Sequence, residues 1–284
     1  MKSLPQGFRG GALAAGLKSS GALDLTIIEN MGPRFDAAAV YTTNQVVAAP
    51  VIWSREVTKG KIVRAAVLNS GGANACTGPQ GFADTHHTAE KVGELLGISS
   101  GEVVVCSTGL IGELLPMPKI MAGLEAIASS LHGDSLDDIS RAIMTTDSVP
   151  KVATTTINGA QFAGIAKGAG MLAPALATML SVVMTDAVLP VNAQDIFTRV
   201  AERTYNRIDS DGCTSTNDTV LLMGSGASGV SLTDSELESA LMDVCGSLAA
   251  QLIGDAEGST KTVAIVVTGG ASESDAVEVA RACA

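Results

Sequence analysis

The residue with the greatest chemical potential in this chain is a threonine at the head of an apolar, strand-like run. The segment Lys167-Gly168-Ala169-Gly170-Met171-Leu172-Ala173-Pro174-Ala175-Leu176-Ala177-Thr178-Met179-Leu180 sets Thr178 directly after Ala177 and a loop of small residues. Inside a chain, a threonine hydroxyl has no base beside it and is a poor nucleophile. At a chain start, its own α-amino group is that base, because the amine titrates near neutrality. Cutting the Ala177–Thr178 bond would turn a silent side chain into a catalytic centre. On local pattern alone, the suitability of β-branched residues for pleated surfaces explains the position equally well.

Other segments supply groups that a nucleophile needs. Cys106-Ser107-Thr108-Gly109-Leu110-Ile111-Gly112 follows a strand-like run. Gly109 lets the backbone approach a ligand closely and aim its N–H at a developing oxyanion, and Thr108 adds a hydroxyl donor. An ordinary strand-to-loop turn would look the same. Asn69–Gly78 is a glycine-rich turn without a GxGxxG or Walker pattern, suited to close packing or to a ligand. Thr145-Thr146-Asp147-Ser148 and the polar loop 209–219 are dense in hydroxyl and amide groups. Gly254–Lys261 holds Asp255 and Glu257 among small residues before a buried-type run, which suits an acid pointing into a site. Lys167 would bind a carboxylate or an oxyanion, or stand as a surface charge.

These segments need a scaffold. Short β-rich runs are expected as strands at Leu25–Glu29, Ala38–Thr42, Ile62–Leu68, Glu102–Cys106, Phe162–Ala166, Thr178–Met184, Val220–Met223 and Val263–Val267. Helical patterns cover about 80–96, 118–131, 135–145, 193–206 and 234–253, the last opening with the capping box Thr233-Asp234-Ser235-Glu236. Ser274–Ala284 begins as a further helix without a closing cap. Alternation of the two kinds of element gives a layered α/β architecture. No repeat or clear linker interrupts it.

Composition narrows the function. Aromatic residues are 3% of 284, so the core must be aliphatic. A formal charge of −11 opposes nucleic acid and anionic membranes as partners. Three histidines, two of them adjacent, supply a His triad or zinc site poorly, so no metal is expected. Five widely spaced cysteines read as buried thiols of a reduced cytosolic protein. The first residues lack a continuous apolar h-region, so no signal peptide is expected. Residues 171–191 are apolar, but two prolines, Asp186 and several hydroxyls favour a buried strand over a membrane span.

Taken in order, Asn69–Gly78, Ser107–Gly112, Thr145–Ser148, Lys167–Leu180, Asp211–Thr219 and Gly254–Lys261 closely resemble the motifs of the glutamate N-acetyltransferase, or ornithine acetyltransferase, family of arginine biosynthesis. The resemblance extends over most of the chain. It implies an α-β-β-α sandwich with a second, smaller α/β domain, divided here as a main domain of 1–190 and a second region of 191–284. It implies a precursor that cuts itself between Ala177 and Thr178 into an α chain of 1–177 and a β chain of 178–284, assembled as a heterotetramer or larger. Thr178 is then the nucleophile, its amine the base, and Thr108 and Gly109 the oxyanion hole. Thr145, Lys167, Thr178 and Glu257 match substrate-contacting positions. The implied substrates are N2-acetylornithine and glutamate, with no cofactor, acetyl-CoA standing open as a second acyl donor, and a cytoplasmic location. Family members usually run past Ala284 into an Asn-rich segment with further contacts, so the pocket is expected to be incomplete here. The rival readings are a self-cleaving aminopeptidase or amidohydrolase on a related scaffold, and a non-catalytic ligand-binding relative.

Overall fold

Period-two alternation of small aliphatic residues builds two stacked sheets, and each residue's parity decides which side it faces. The computed structural model describes residues 3–172 and 179–284; the expected cleavage pair Ala177–Thr178 lies outside the described residues. The first sheet has the order β1 (Phe8–Leu13), β2 (Leu25–Asn30), β4 (Ala65–Asn69), β5 (Val103–Ser107). The second has the order β3 (Asp36–Tyr41), β9 (Thr219–Gly224), β8 (Leu180–Thr185), β7 (Ala160–Lys167), β6 (Lys151–Ile157). Pairing is antiparallel except β4 with β5 and β8 with β9, which are parallel.

One core lies between the sheets, where Ile28, Ala66, Leu68, Val104 and Cys106 meet Ile165, Leu180, Val182, Met184 and Leu221. The alternate residues face outwards. Ile27, Val67 and Val105 meet the helices α2 (Gly78–Leu96) and α3 (Met117–Ala128). Val183, Val220 and Leu222 meet α5 (Ala193–Arg203) and α6 (Asp234–Gly254). The result is an α-β-β-α sandwich. The helix α1 (Ala49–Thr58) docks on β5, where the Ser54 hydroxyl donates to the Val105 carbonyl at 2.8 Å. The helix α4 (Leu136–Ala142) closes one flank of the inter-sheet core.

Several expectations need correction. The strands β1 and β6 and the helix α1 were not expected. Gly10 and Gly11 hide β1, yet a side chain at Gly10 would come within 2.8 Å of the Ser135 hydroxyl, so small residues are what let α4 approach. The strand β6 is an edge strand with a threonine run, Thr154–Thr156, in place of an apolar signature. The expected strand Val263–Val267 does not form: Val263 is 78% and Val266 81% exposed. A strand needs a neighbour for its backbone groups, and among the described residues none lies beside it. The expected helix at the end does form, as α7 (Glu273–Cys283). The division at residue 190 is not visible in the sheets, because β9 sits between β3 and β8. The cysteines are free, but only Cys106 and Cys245 are buried; Cys76, Cys213 and Cys283 stand exposed in loops and at a helix end. Among the described residues no helix is long and apolar enough to cross a membrane.

Candidate active site

Several buried polar residues, Thr108, Asp147, Lys151, Lys167 and Asp218 among them, gather at the end of the sandwich where β8 begins. Lys167, last residue of β7, pairs with Leu180, first residue of β8. It is 2% exposed, and its ammonium donates to the Thr108 hydroxyl at 3.2 Å. The lysine and threonine are 59 residues apart in the chain. The stacking of the two sheets joins them, since Thr108 follows β5 in the first sheet and Lys167 closes β7 in the second.

Thr108 and Gly109 are shaped for donation. The Thr108 N–H is taken by the Asn69 carbonyl at 3.0 Å, so the hydroxyl is the donor that remains. Among the described residues, no acceptor takes the Gly109 N–H. Gly109 has φ 132°, and a side chain there would approach the Gly72 nitrogen at 2.8 Å. Only glycine fits both conditions. The glycine-rich turn after β4 is therefore the packing partner of the candidate oxyanion hole. Asn217 fixes this arrangement by donating through its amide to the Ala73 carbonyl and, at 2.8 Å, to the Ser107 carbonyl.

A buried ion network holds Lys167 from below. Asp147 accepts from Lys151 Nζ at 2.6 Å, from the Gly168 N–H at 2.7 Å and from the Thr145 N–H at 2.9 Å. Lys151, fully buried, also reaches Asp255 at 2.7 Å, and Asp255 takes the N–H of Ser148 at 2.9 Å and its hydroxyl. Burial pushes the Asp147 carboxyl up, but Lys167, the Gly168 N–H and Lys151 outweigh it and hold it below the usual carboxylate range. Burial pulls the Lys167 ammonium down; Asp147 and Asp218 push it back up, while Lys151 and Lys18 add to the depression.

The loop that leads out of β7 is pinned residue by residue. Gly168 is held by Asp147, the Ala169 carbonyl accepts the Glu257 N–H at 2.7 Å, and Asp211 takes the Met171 N–H at 2.6 Å. Leu172 packs on Ala256. Glu257 is exposed, and its carboxylate overlies Gly170 so closely that a side chain there would stand 2.9 Å from it. Thr145 is half-buried beside Asp147.

The structure thus brings Thr108, Gly109 and Lys167 into one cluster, and ties Thr145 and the Glu257 loop to it through Asp147, Lys151 and Asp255. Ala177 and Thr178 are outside the described residues. Sequence reading held Asp147 and Asp218 within motifs without giving either a role of its own, offered the 254–261 segment with Asp255 only as suited to an acid pointing into a site, and gave Lys18 and Lys151 no role. The available signal was the density of acids beside lysines in 145–151 and 254–261, since few charges are buried without partners.

Fold and site together define an α-β-β-α protein with a polar cluster where β8 begins, composed of an ammonium, a hydroxyl and a backbone N–H that no described residue takes. The ArgJ family profile matches residues 9–284. A relative from Streptomyces avermitilis, the arginine biosynthesis bifunctional protein ArgJ, is 54% identical over 280 residues, covering 98% of this chain and 73% of that protein. Among solved structures, ornithine acetyltransferase from Mycobacterium tuberculosis complexed with ornithine is 47% identical, with a TM-score of 0.54 over 60% of this chain and 92% of that one. An arginine biosynthesis bifunctional protein from Bacillus halodurans is 34% identical, with a TM-score of 0.53 over 62% and 92%. The chain belongs to the ArgJ family.

Proposed function

We propose that the chain is an acetyltransferase that cuts itself between Ala177 and Thr178 and then moves acetyl from N2-acetylornithine to glutamate through an acetyl-Thr178 intermediate. The observation that carries this reading is the Lys167–Thr108 contact of 3.2 Å, beside a Gly109 N–H that no described residue takes. It gathers oxyanion donors and a carboxylate-binding cation at the entrance to the strand that follows Thr178.

In maturation, Thr178 Oγ attacks the Ala177 carbonyl carbon, the amide becomes an ester, and water releases two chains. In turnover, the freed amine of Thr178 takes the hydroxyl proton as Oγ attacks the acetyl carbonyl. The Thr108 hydroxyl and the Gly109 N–H hold the oxyanion, each such donor being worth about 3 kcal/mol. Ornithine leaves and glutamate accepts the acetyl group, a ping-pong sequence. Both amino acids carry an α-carboxylate, which Lys167 anchors. Thr145 contacts the same substrates, and Glu257 meets an amino group of acetylornithine. No cofactor takes part, acetyl-CoA stands open as a second donor, the cut chains stay together in a heterotetramer or larger assembly, and the setting is the cytoplasm.

Intact-mass measurement tests the reading. The wild-type protein should give two chains, and Thr178→Ala one. Added N2-acetylornithine should leave an acetyl group on the chain that begins at Thr178, and glutamate should remove it. A cleaved Thr178→Ala protein, or acetyl loss to water at the same rate without glutamate, would sink it.

A further inference from the structure

The donor and the acceptor of the proposed reaction differ in charge at one end. N2-acetylornithine carries an α-carboxylate and a side-chain ammonium, whereas glutamate carries a second carboxylate in place of that ammonium. Lys167 suits the carboxylate that they share. Glu257 suits the ammonium of the donor but repels the side-chain acid of the acceptor. A site that serves both molecules needs a further cation, because like charges brought together are costly.

Lys18 supplies one. It stands half-buried on the loop between β1 and β2. Asp24, wholly buried, draws this loop in by accepting the N–H groups of Ala15 at 2.6 Å, Leu17 at 2.7 Å and Lys18 at 3.0 Å. From α3, Lys119 Nζ donates to the Gly16 carbonyl at 2.7 Å. Leu17 packs on Gly71, where any side chain would collide with it. Gly72 follows and is bridged to Thr108, whose hydroxyl takes the Lys167 ammonium at 3.2 Å. The loop is thus seated on the same glycine turn that backs the candidate oxyanion hole, and Lys18 is the next residue after the contact.

The Lys18 ammonium has three N–H donors and, among the described residues, one hydrogen-bond partner, the Leu23 carbonyl at 2.8 Å. Two acids act on it, Asp24 and Asp147, and neither forms an ion pair with it: the first is spent on the loop's N–H groups and the second on Lys151. Its charge is also felt at Lys167, which it repels. A partly buried cation without a counter-ion is costly, and two of them in one site are more so. Lys18 and Lys167 together therefore suit a ligand with two negative ends.

We propose that Lys18 determines specificity for the acceptor, taking the side-chain carboxylate of glutamate while Lys167 takes the α-carboxylate, a role that rests on the acetyl-transfer reading above. Acetylornithine has an ammonium at that end and gains nothing from Lys18. The lysine therefore acts on the second half of the ping-pong sequence, when the acceptor binds. Asp24 is a positioning residue that acts through Lys18.

Glutamine has the length of glutamate and no side-chain charge, so the pair isolates the carboxylate. Wild type, Lys18→Met, Lys18→Gln and Lys18→Arg are acetylated with N2-acetylornithine, and transfer of the acetyl group is followed with glutamate and with glutamine as acceptors. The ratio of kcat/KM for glutamate to that for glutamine should fall about 10-fold or more in Lys18→Met and Lys18→Gln, as for a lost charge-assisted contact. It should return in Lys18→Arg. A merely structural role would weaken both acceptors and spare the ratio. A wild-type ratio in either neutral variant, once folded, overturns the inference alone, as does a wild-type enzyme that does not prefer glutamate. Failure of the wild type to pass acetyl to either acceptor overturns the acetyl-transfer reading and this inference with it.

Discussion

Two buried lysines share the open end of the β6–β7 hairpin, and their surroundings differ. Lys151, first residue of β6, is fully enclosed and ion-paired to Asp147 at 2.6 Å and Asp255 at 2.7 Å. Lys167, last residue of β7, is almost as buried, yet its ammonium donates to a neutral hydroxyl, Thr108, at 3.2 Å. Asp147 acts on it as a neighbouring charge and spends its own hydrogen bonds on Lys151, Gly168 and Thr145. One lysine is thus paired with carboxylates by its scaffold, and the other meets a neutral hydroxyl while burial works against its charge. The first is a structural clamp. The second is poised for an external anion, which is why the two should respond differently to the same substitution.

The comparison breaks most sharply at Lys151. Lys151→Met leaves Asp147 and Asp255 without their cation and should destabilise the fold by about 3–5 kcal/mol, read by urea unfolding. Equal loss from Lys167→Met would erase the distinction. Next comes catalysis. Lys167→Met should cost little stability, because burial already works against its charge, but should lower kcat/KM for acetylornithine by roughly 30-fold or more, as for a lost charge-assisted contact of about 2–3 kcal/mol. The third test concerns pH. An anion site that needs the Lys167 ammonium loses it as pH rises through a value below the ordinary lysine range. Asp147→Asn removes the charge that most opposes this depression, so the alkaline limb of kcat/KM should move to lower pH. An unmoved limb would separate Lys167 from the activity. The smallest effect is acid stability. Asp147 and Asp255 are both held below the usual carboxylate range, so their contribution is present above about pH 4, the unfolded value. It is lost as pH falls through the folded values, and the acid midpoint of Lys151→Met should lie higher than that of wild type.

The β-rich runs show how far pattern reaches. The run at 178–184 and the run at 263–267 look alike, rich in valine and bounded by small or polar residues. The first yields β8 (Leu180–Thr185), flanked by β7 and β9. The second stays exposed, because nothing described lies beside it to take its backbone groups. Alternation reports that a segment would suit a sheet, and only a neighbouring strand makes it one. The opposite error occurred at β1 and β6, where glycines and threonines carry no apolar signal although the strands pair along their whole length. The helix α6 was fully legible because its capping box and apolar stripe are local features.

The candidate site divides in the same way. Types and order of residues were enough to single out Thr108, Gly109, Thr145, Lys167, Thr178 and Glu257, because a turn glycine, a hydroxyl and a lone cation announce their chemistry one residue at a time. Asp147, Lys151, Asp218 and Asp255 carried no such announcement, since an acid or a lysine is solvated unless the fold removes its water. The sequence by itself determined the aliphatic alternation, the layered α/β architecture and the inventory of reactive groups. Tertiary structure alone decided that Lys167 meets Thr108 across 59 residues, that Lys151 is clamped and that one oxygen of Asp218 is left without a partner among the described residues. The physical reason is that a charge's partners and its hydration are set by what folding brings around it, and neither is written in its neighbours along the chain.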